Sequence, residues 1–577
     1  MVDGLKTGKH LVHRQAMAPP RGLCRRHAHE EVPGTVNVQA LEGDDTAYGQ
    51  ALFPVPADDP NDPLQWPAWK KDSILIICCL YSFLCNSTLI GSSVYIGLYS
   101  VEFGVTPAVA SQTSSYPTLA FGLGTANSGC NGCLVTDRML GCLVLIPMYV
   151  KFGRRPTMLF SQLLYTFGTL GCSQATTFNG FMAARIIHAS GSGVCEALPV
   201  QCVNDVYFLH ERGKRISYYT AALCLGAIGP LPAGYMLAAG YSFRLFFYVE
   251  FGFALALLVA TFFLVPETAY KRKIKVTHTS MPSSSEGVTE KHGAGPSATT
   301  DHVSQEDLEV EGAAIVRERQ SYISQLKPWS PIDKEAEFFG MMWRGLTYLL
   351  VPQVLWVITS FGIYIGIAAL AIIYTFPGII TAPPYNWPAT SGGLIAIAYF
   401  IGYGLALPFS NSSDRLAARL TVRNNGIREA EMRLGVMLPA MIIGLAGMVV
   451  YGLTATYQLH WIGYFAAVAM IDWSALFYFT FTLAYAVDSY YANVSEMLIA
   501  MNIAKNAISF GMGYSLLTWI LESGYAKVIA GAFTAVLLAN NLFLLLFMWK
   551  GKSIRVAAAT SWLARLHRQT AQNGAVL

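Results

Sequence analysis

The run FRLFFYVEFGFALALLVATFFLV at residues 243–265 decides how the rest of the chain is read. It carries only two ionisable side chains, Arg244 and Glu250, and is otherwise mainly apolar on every side of a helix. A helix crossing the hydrocarbon core needs ~20 such residues, whereas a surface helix of a soluble domain sets a polar face against an apolar one. The stretch is therefore read as a membrane span.

Working outward, similar runs fall near 73–95, 113–149, 157–175, 180–207 and 216–239 before it, and near 346–375, 388–410, 434–456, 460–486, 497–520 and 525–549 after it. Composition agrees: of 577 residues 53% are hydrophobic and 13% charged, about half the ~25% charged fraction of an ordinary soluble domain. Polar surface of that extent cannot cover soluble cores, so lipid must act as solvent. With 39 Lys+Arg against 35 Asp+Glu, no basic excess points to nucleic acid.

The polar stretch Lys271–Met341, with its Ser283-Ser284-Ser285 run and acidic residues around Glu306 to Glu311, separates the two sets of spans. So long a structureless loop is rare inside a compact domain. The organisation expected is a tail over 1–72, a six-helix bundle over 73–266, a linker over 267–345, a second six-helix bundle over 346–549 and a tail over 550–577. Residues 1–57 lack the apolar core of a signal peptide. Lys and Arg collect on the cytoplasmic side of short loops. They occur at Lys151, Arg154 and Arg155, at Arg212, Lys214 and Arg215, and from Arg415 to Arg433, while the loops near 96–112, 176–180, 376–387 and 457–459 have none. Both termini and the linker are thus expected in the cytosol.

Eleven cysteines are scattered through apolar stretches, and Cys130-x-x-Cys133 stands without a second pair. A zinc site takes about four ligands, so no metal site is expected.

Several stretches resemble the major facilitator superfamily, in particular its fungal twelve-span drug:proton antiporter-like branch. Asp62-Pro-Leu-Gln-Trp66 through Lys71 resembles the entry motif of those proteins. Lys151-Phe-Gly153-Arg154-Arg155-Pro156 resembles the end of the superfamily's loop between spans two and three, with Val150 where an aspartate usually stands. Arg185-Ile-Ile-His188, then Cys195-Glu196-Ala-Leu-Pro199, resembles the Arg-bearing motif of span four. Gly226, Gly229, Pro230 and Gly234 resemble the antiporter motif of span five, with Ala233 at one glycine position. Asp414-Arg415 through Arg433 resembles the loop between spans eight and nine, and Asp488, Glu496 and Lys505-Asn506 the signature of spans ten and eleven. The resemblance covers roughly 58–550 and implies an all-α membrane protein of two pseudo-symmetric six-helix bundles working by alternating access. Gly153, Arg154, Arg155, Gly226, Gly229, Pro230, Asp414, Arg415 and Asp488 would then serve conformational change. Each has a plainer reading too: glycines let helices approach closely, prolines bend them, and arginines fix topology.

Ionisable groups at membrane depth are costly and normally face a cavity or a partner. Here they are Arg185, His188 and Glu196 in span four, Glu250 in span six, Asp472 in span ten and Lys505 in span eleven. Glu196 lies eleven residues, or three turns of an unbroken helix, beyond Arg185 and would share its face. A desolvated carboxyl can exchange a proton near neutral pH, so a carboxylate that binds a cation and releases it on protonation would support antiport. Pairing with a neighbouring helix is the structural alternative for Glu196. Asp472 and Lys505 could pair within the second half. Arg244 reads as an anchor or pairing partner at the outer boundary. Of the aromatics Trp356, Tyr364, Tyr374, Trp473, Phe477, Tyr478, Phe479 and Phe481, a minority would line a cavity.

The expected function is proton-coupled export of a drug, toxin or secondary metabolite, with multidrug resistance as a phenotype. Proton-coupled uptake of an organic cation such as a polyamine is the rival, and a non-transporting sensor a remote third. No enzymatic constellation emerges, and no cofactor is expected beyond a proton gradient. The expected partners are a small-molecule substrate and the bilayer, with no nucleic acid, for a monomer in the plasma membrane. Span two is anomalous: 113–149 exceeds one crossing by about eighteen residues, and its centre at 125–142 is polar. The excess reads as a retained intron, with a re-entrant insertion as the alternative.

Overall fold

The structure is a computed structural model. It describes residues 35–37, 59–106, 109–110, 113, 142–270 and 321–567, the last with short gaps at 331, 334–336, 425–426, 491–493 and 564–565. The polar centre of span two and most of the linker lie outside these residues.

The architecture is all-α and follows the two-bundle plan. In the first half, span one is Ala68–Glu102, the described part of span two Cys142–Lys151, span three Arg154–Gln174, span five Glu211–Ala238 and span six Phe243–Leu264. In the second half, span seven is Pro352–Thr381, span eight Ser391–Arg423, span nine Ala430–Tyr457, span ten Ile462–Ser489, span eleven Val494–Ser523 and span twelve Ala526–Thr560. A short helix, Phe338–Thr347, straddles the boundary expected at 345, and span seven begins at Pro352 and runs to Thr381 rather than over 346–375. One small antiparallel ladder pairs Thr35–Asn37 with Ile427–Glu429, in register Thr35 to Glu429.

Span four departs from the sequence reading. It forms Phe178–Ser192 and Leu198–Val206, with consecutive tight turns over 193–197 between them. Proline has no N–H, and its ring clashes with the carbonyl four residues earlier. Pro199 therefore leaves Cys195 O without a helical donor. That carbonyl is instead satisfied from outside, by Ser82 Oγ at 2.6 Å and Tyr219 OH at 3.2 Å, and Tyr219 OH also reaches Glu196 O at 2.9 Å. Glu196 thus sits in a turn rather than three helical turns along one face from Arg185.

Glycines hold the bundles close. A Cβ on Gly226 would lie 2.6 Å from Phe83 O, and one on Gly229 would collide with Ser87 O, so span five rests directly on span one. At the end opposite the arginine loops, an aromatic cluster closes the first half, with Tyr99 edge-on to Phe243 at 5.0 Å and 4.9 Å from Phe181. Arg244 pairs there with Glu102 at 2.5 Å.

Candidate transport site

A cavity of about 160 Å³ lies between the halves, walled by spans one, four and five on one side and seven, eight, ten and eleven on the other. Span seven lines it from Phe361 to Tyr374, a segment that includes a π-helical stretch, Tyr364–Ala369, and such widened turns recur at functional sites. Span five meets span eight on both sides of the cavity. Gly213 abuts the Asp414 carboxylate at the arginine-loop end, and a Cβ on Gly393 would lie 2.6 Å from Pro230 O at the other.

Glu196 and Lys505 reach the cavity from opposite halves and form an ion pair, with Lys505 3% and Glu196 17% exposed. The Lys505 ammonium also lies 5.5 Å above the Phe361 ring, a favourable placement for a cation. The partner of Lys505 is therefore Glu196 and not Asp472. Asp472 faces the same cavity separately, accepting a hydrogen bond from Tyr403 OH at 2.8 Å.

The remaining three candidates stand behind the cavity wall in the first half. Arg185, fully buried, donates to Ser92 Oγ at 2.8 Å and to the carbonyls of Thr88, Leu89 and Thr113. Glu250 accepts from Ser87 Oγ and Thr88 Oγ1, both at 3.0 Å. Thr88 Oγ1 is 2.8 Å from Tyr165 OH, and the Tyr165 ring lies 5.0 Å from that of His188. These side chains lock span one to spans three, four and six.

The loop motifs fall at the arginine-bearing end. Arg154 pairs with Asp205 at 3.1 Å, and its backbone N–H donates to Glu267. Arg155 donates to Phe262 O at 2.7 Å and Leu326 O at 2.9 Å. Gly153 has φ +100°, and a side chain there would run into Glu267, which is why glycine begins the span. In the second half Arg433 binds Asp414 at 2.8 Å and Asp488 at 2.5 Å, while Arg415 is exposed.

Of the aromatics singled out, Tyr364, Tyr374 and Phe479 line the cavity. Trp356 bonds Asn540 O, and Tyr478 bonds Asn541. Sequence reasoning missed Tyr399 and Tyr403, whose signal was a four-residue spacing of two phenols that puts them on one face of span eight. It also missed Asn86, an amide in the apolar span one, which bonds Leu223 O at 2.7 Å beside the cavity.

Two bundles closing on a midplane cavity, with paired loops at one end, define a membrane transporter. The chain belongs to the Major Facilitator Superfamily, whose family profile matches residues 132–516. It is similar to an uncharacterized MFS-type transporter, C1271.10c of Schizosaccharomyces pombe, at 21% identity over 93% of this chain and 95% of that one. The efflux pump FUBT of Fusarium oxysporum is 23% identical over 94% of this chain and 83% of its own. Among solved structures, the proton:xylose symporter XylE superposes with a TM-score of 0.51 at 15% identity, covering 84% of this chain and 96% of that one.

Proposed function

We propose that this transporter exports a small organic molecule in exchange for protons, by alternating access, from the plasma membrane with both termini in the cytosol. The observation that carries the reading is the Glu196–Lys505 pair joining the two halves inside the cavity. Unit charges 4 Å apart attract by about 4 kcal/mol at an effective dielectric near 20, and one charge moving through 100 mV releases about 2.3 kcal/mol. The two are of the same order, and a proton taken up by Glu196 removes the charge attraction that holds the halves together at this point. Similarity to fungal efflux pumps favours the outward direction. The apolar wall around Phe361 and Phe479 suits a drug, toxin or secondary metabolite. Uptake of an organic cation is the second reading, favoured by Asp472 facing the cavity.

The test is transport by the purified full chain in vesicles under an imposed pH gradient, with a tag in 382–388 reporting outside and one in 271–337 inside. Accumulation that follows the gradient and is lost in Glu196→Gln is expected; the sign of the gradient that drives it separates export from uptake. A Glu196→Gln protein that still transports uphill with unchanged pH dependence would remove Glu196 from coupling.

A further inference from the structure

The ionisable side chains lining the cavity do not balance. Glu196 and Lys505 neutralise one another, which leaves Asp472. It is 6% exposed; Oδ1 takes the Tyr403 hydroxyl at 2.8 Å, and Oδ2 accepts no hydrogen bond. No Lys, Arg or His pairs with it among the described residues. Its neighbours are Tyr399 and Tyr403 of span eight and Cys224 of span five, none of which carries a positive charge.

A carboxylate so placed costs several kcal/mol unless a cation or a proton joins it, so its ionised form leaves the cavity one positive charge short. The surroundings indicate what kind of cation fits. Tyr399 and Tyr403 line the cavity beside Asp472, and aromatic rings attract ammonium groups. Phe361, Tyr374 and Phe479 supply an apolar wall for an organic body. An anionic cargo is disfavoured, because it would meet two carboxylates and find the one ammonium already engaged.

We infer that Asp472 anchors the cargo and that the cargo is an organic monocation, an apolar body bearing a protonated amine whose N–H groups reach Oδ2. The inference rests on the transporter reading and adds the substrate class. It also supplies a reason for exchange, since a proton and the cargo's ammonium compete for one carboxylate.

Three probes of one shape and different charge test it on the purified full chain at pH 7: 4-phenylbutylamine, 4-phenylbutanol and 4-phenylbutyrate. Equilibrium binding should favour the amine over the alcohol at least about tenfold, with the carboxylate weakest, and needs no variant. Asp472→Asn should erase the amine's advantage and Asp472→Glu should keep it. Equal binding of amine and alcohol, tighter binding of the carboxylate, no saturable binding of the amine, or an undiminished preference in Asp472→Asn would each overturn the assignment. The two proposals fail differently. Asp472-dependent amine binding without gradient-driven transport would refute the exporter and keep the anchor. Gradient-driven transport of the alcohol with the amine ignored would refute the anchor and keep the exporter.

Discussion

Glu196 and Lys505 come from different halves of the molecule and meet as an ion pair at the wall of the central cavity. The meeting depends on a defect. Pro199 breaks span four, the turns over 193–197 carry Glu196 out of helical phase, and span eleven presents Lys505 opposite.

Removing one partner of a buried ion pair strands the other charge, at a cost of about 3–5 kcal/mol, whereas replacing both with apolar or neutral groups is often nearly neutral. Glu196→Gln and Lys505→Met should each lower the yield of folded protein and the thermal midpoint. The double variant should regain both without regaining gradient-driven transport. Fluorescence-detected size exclusion after heating and a vesicle transport assay measure the two effects separately. Single variants as stable as the wild type would mean that the pair contributes nothing to stability.

The spans were legible because lipid imposes a composition on every crossing. Phe243–Leu264 could be read from its own residues alone. The ion pairing was not legible, because a carboxylate in span four carries no record of which cation the other half turns toward it. The break in span four was visible in principle, since Pro199 stands four residues after Cys195, yet treating the segment as one helix put Glu196 on the face of Arg185. Arg185 instead binds backbone carbonyls around Thr88 and Leu89, and Glu250 is held by Ser87 and Thr88. Those partners come from span one and were set by packing rather than by local pattern.

Beyond the last span, His567 stacks on Tyr348 at 3.9 Å and shares a hydrogen bond with Thr347 Oγ1 at 2.9 Å. Burial, assisted by the nearby Arg344, pushes the imidazole from its usual 6.5 down to about 4. The released segment binds a proton between those values and the docked one does not, so docking is intact above about pH 6.5 and weakens as pH falls toward 4. The protection factors of amides at 550–563, taken relative to the intrinsic exchange rate at each pH, should fall between pH 7 and pH 5. His567→Phe should keep the stack and remove that dependence.

Gly213 at the start of span five lies against the Asp414 carboxylate, which Arg433 holds at 2.8 Å. Any Cβ there must displace a carboxylate that is already bound. Gly213→Val should therefore weaken the contact between spans five and eight at the arginine-loop end without touching the cavity. Cys195, buried in the cavity wall, should react faster with a water-soluble maleimide, by about tenfold if closure loses ~1.4 kcal/mol. Unchanged labelling would show that this contact does not limit access.

The turn carrying Glu196 depends on a hydroxyl from span five. Tyr219 OH lies 3.2 Å from Cys195 O and 2.9 Å from Glu196 O, and Ser82 Oγ is the other group on Cys195 O. Pro199 denies Cys195 O its helical donor, so deleting the Tyr219 hydroxyl leaves that carbonyl to Ser82 Oγ alone and removes a side-chain donor from Glu196 O, at a cost of about 1–3 kcal/mol. The ring stays, so packing is conserved in Tyr219→Phe. The prediction is a lowered thermal midpoint together with weakened proton coupling, since a looser turn no longer fixes Glu196 against Lys505. The control is Tyr165→Phe, which removes a hydroxyl of similar burial bonded to Thr88 rather than to the turn. It should cost stability on the same scale while leaving the Glu196–Lys505 geometry alone. Equal coupling in the two variants at matched protein level would show that the turn does not set the position of Glu196.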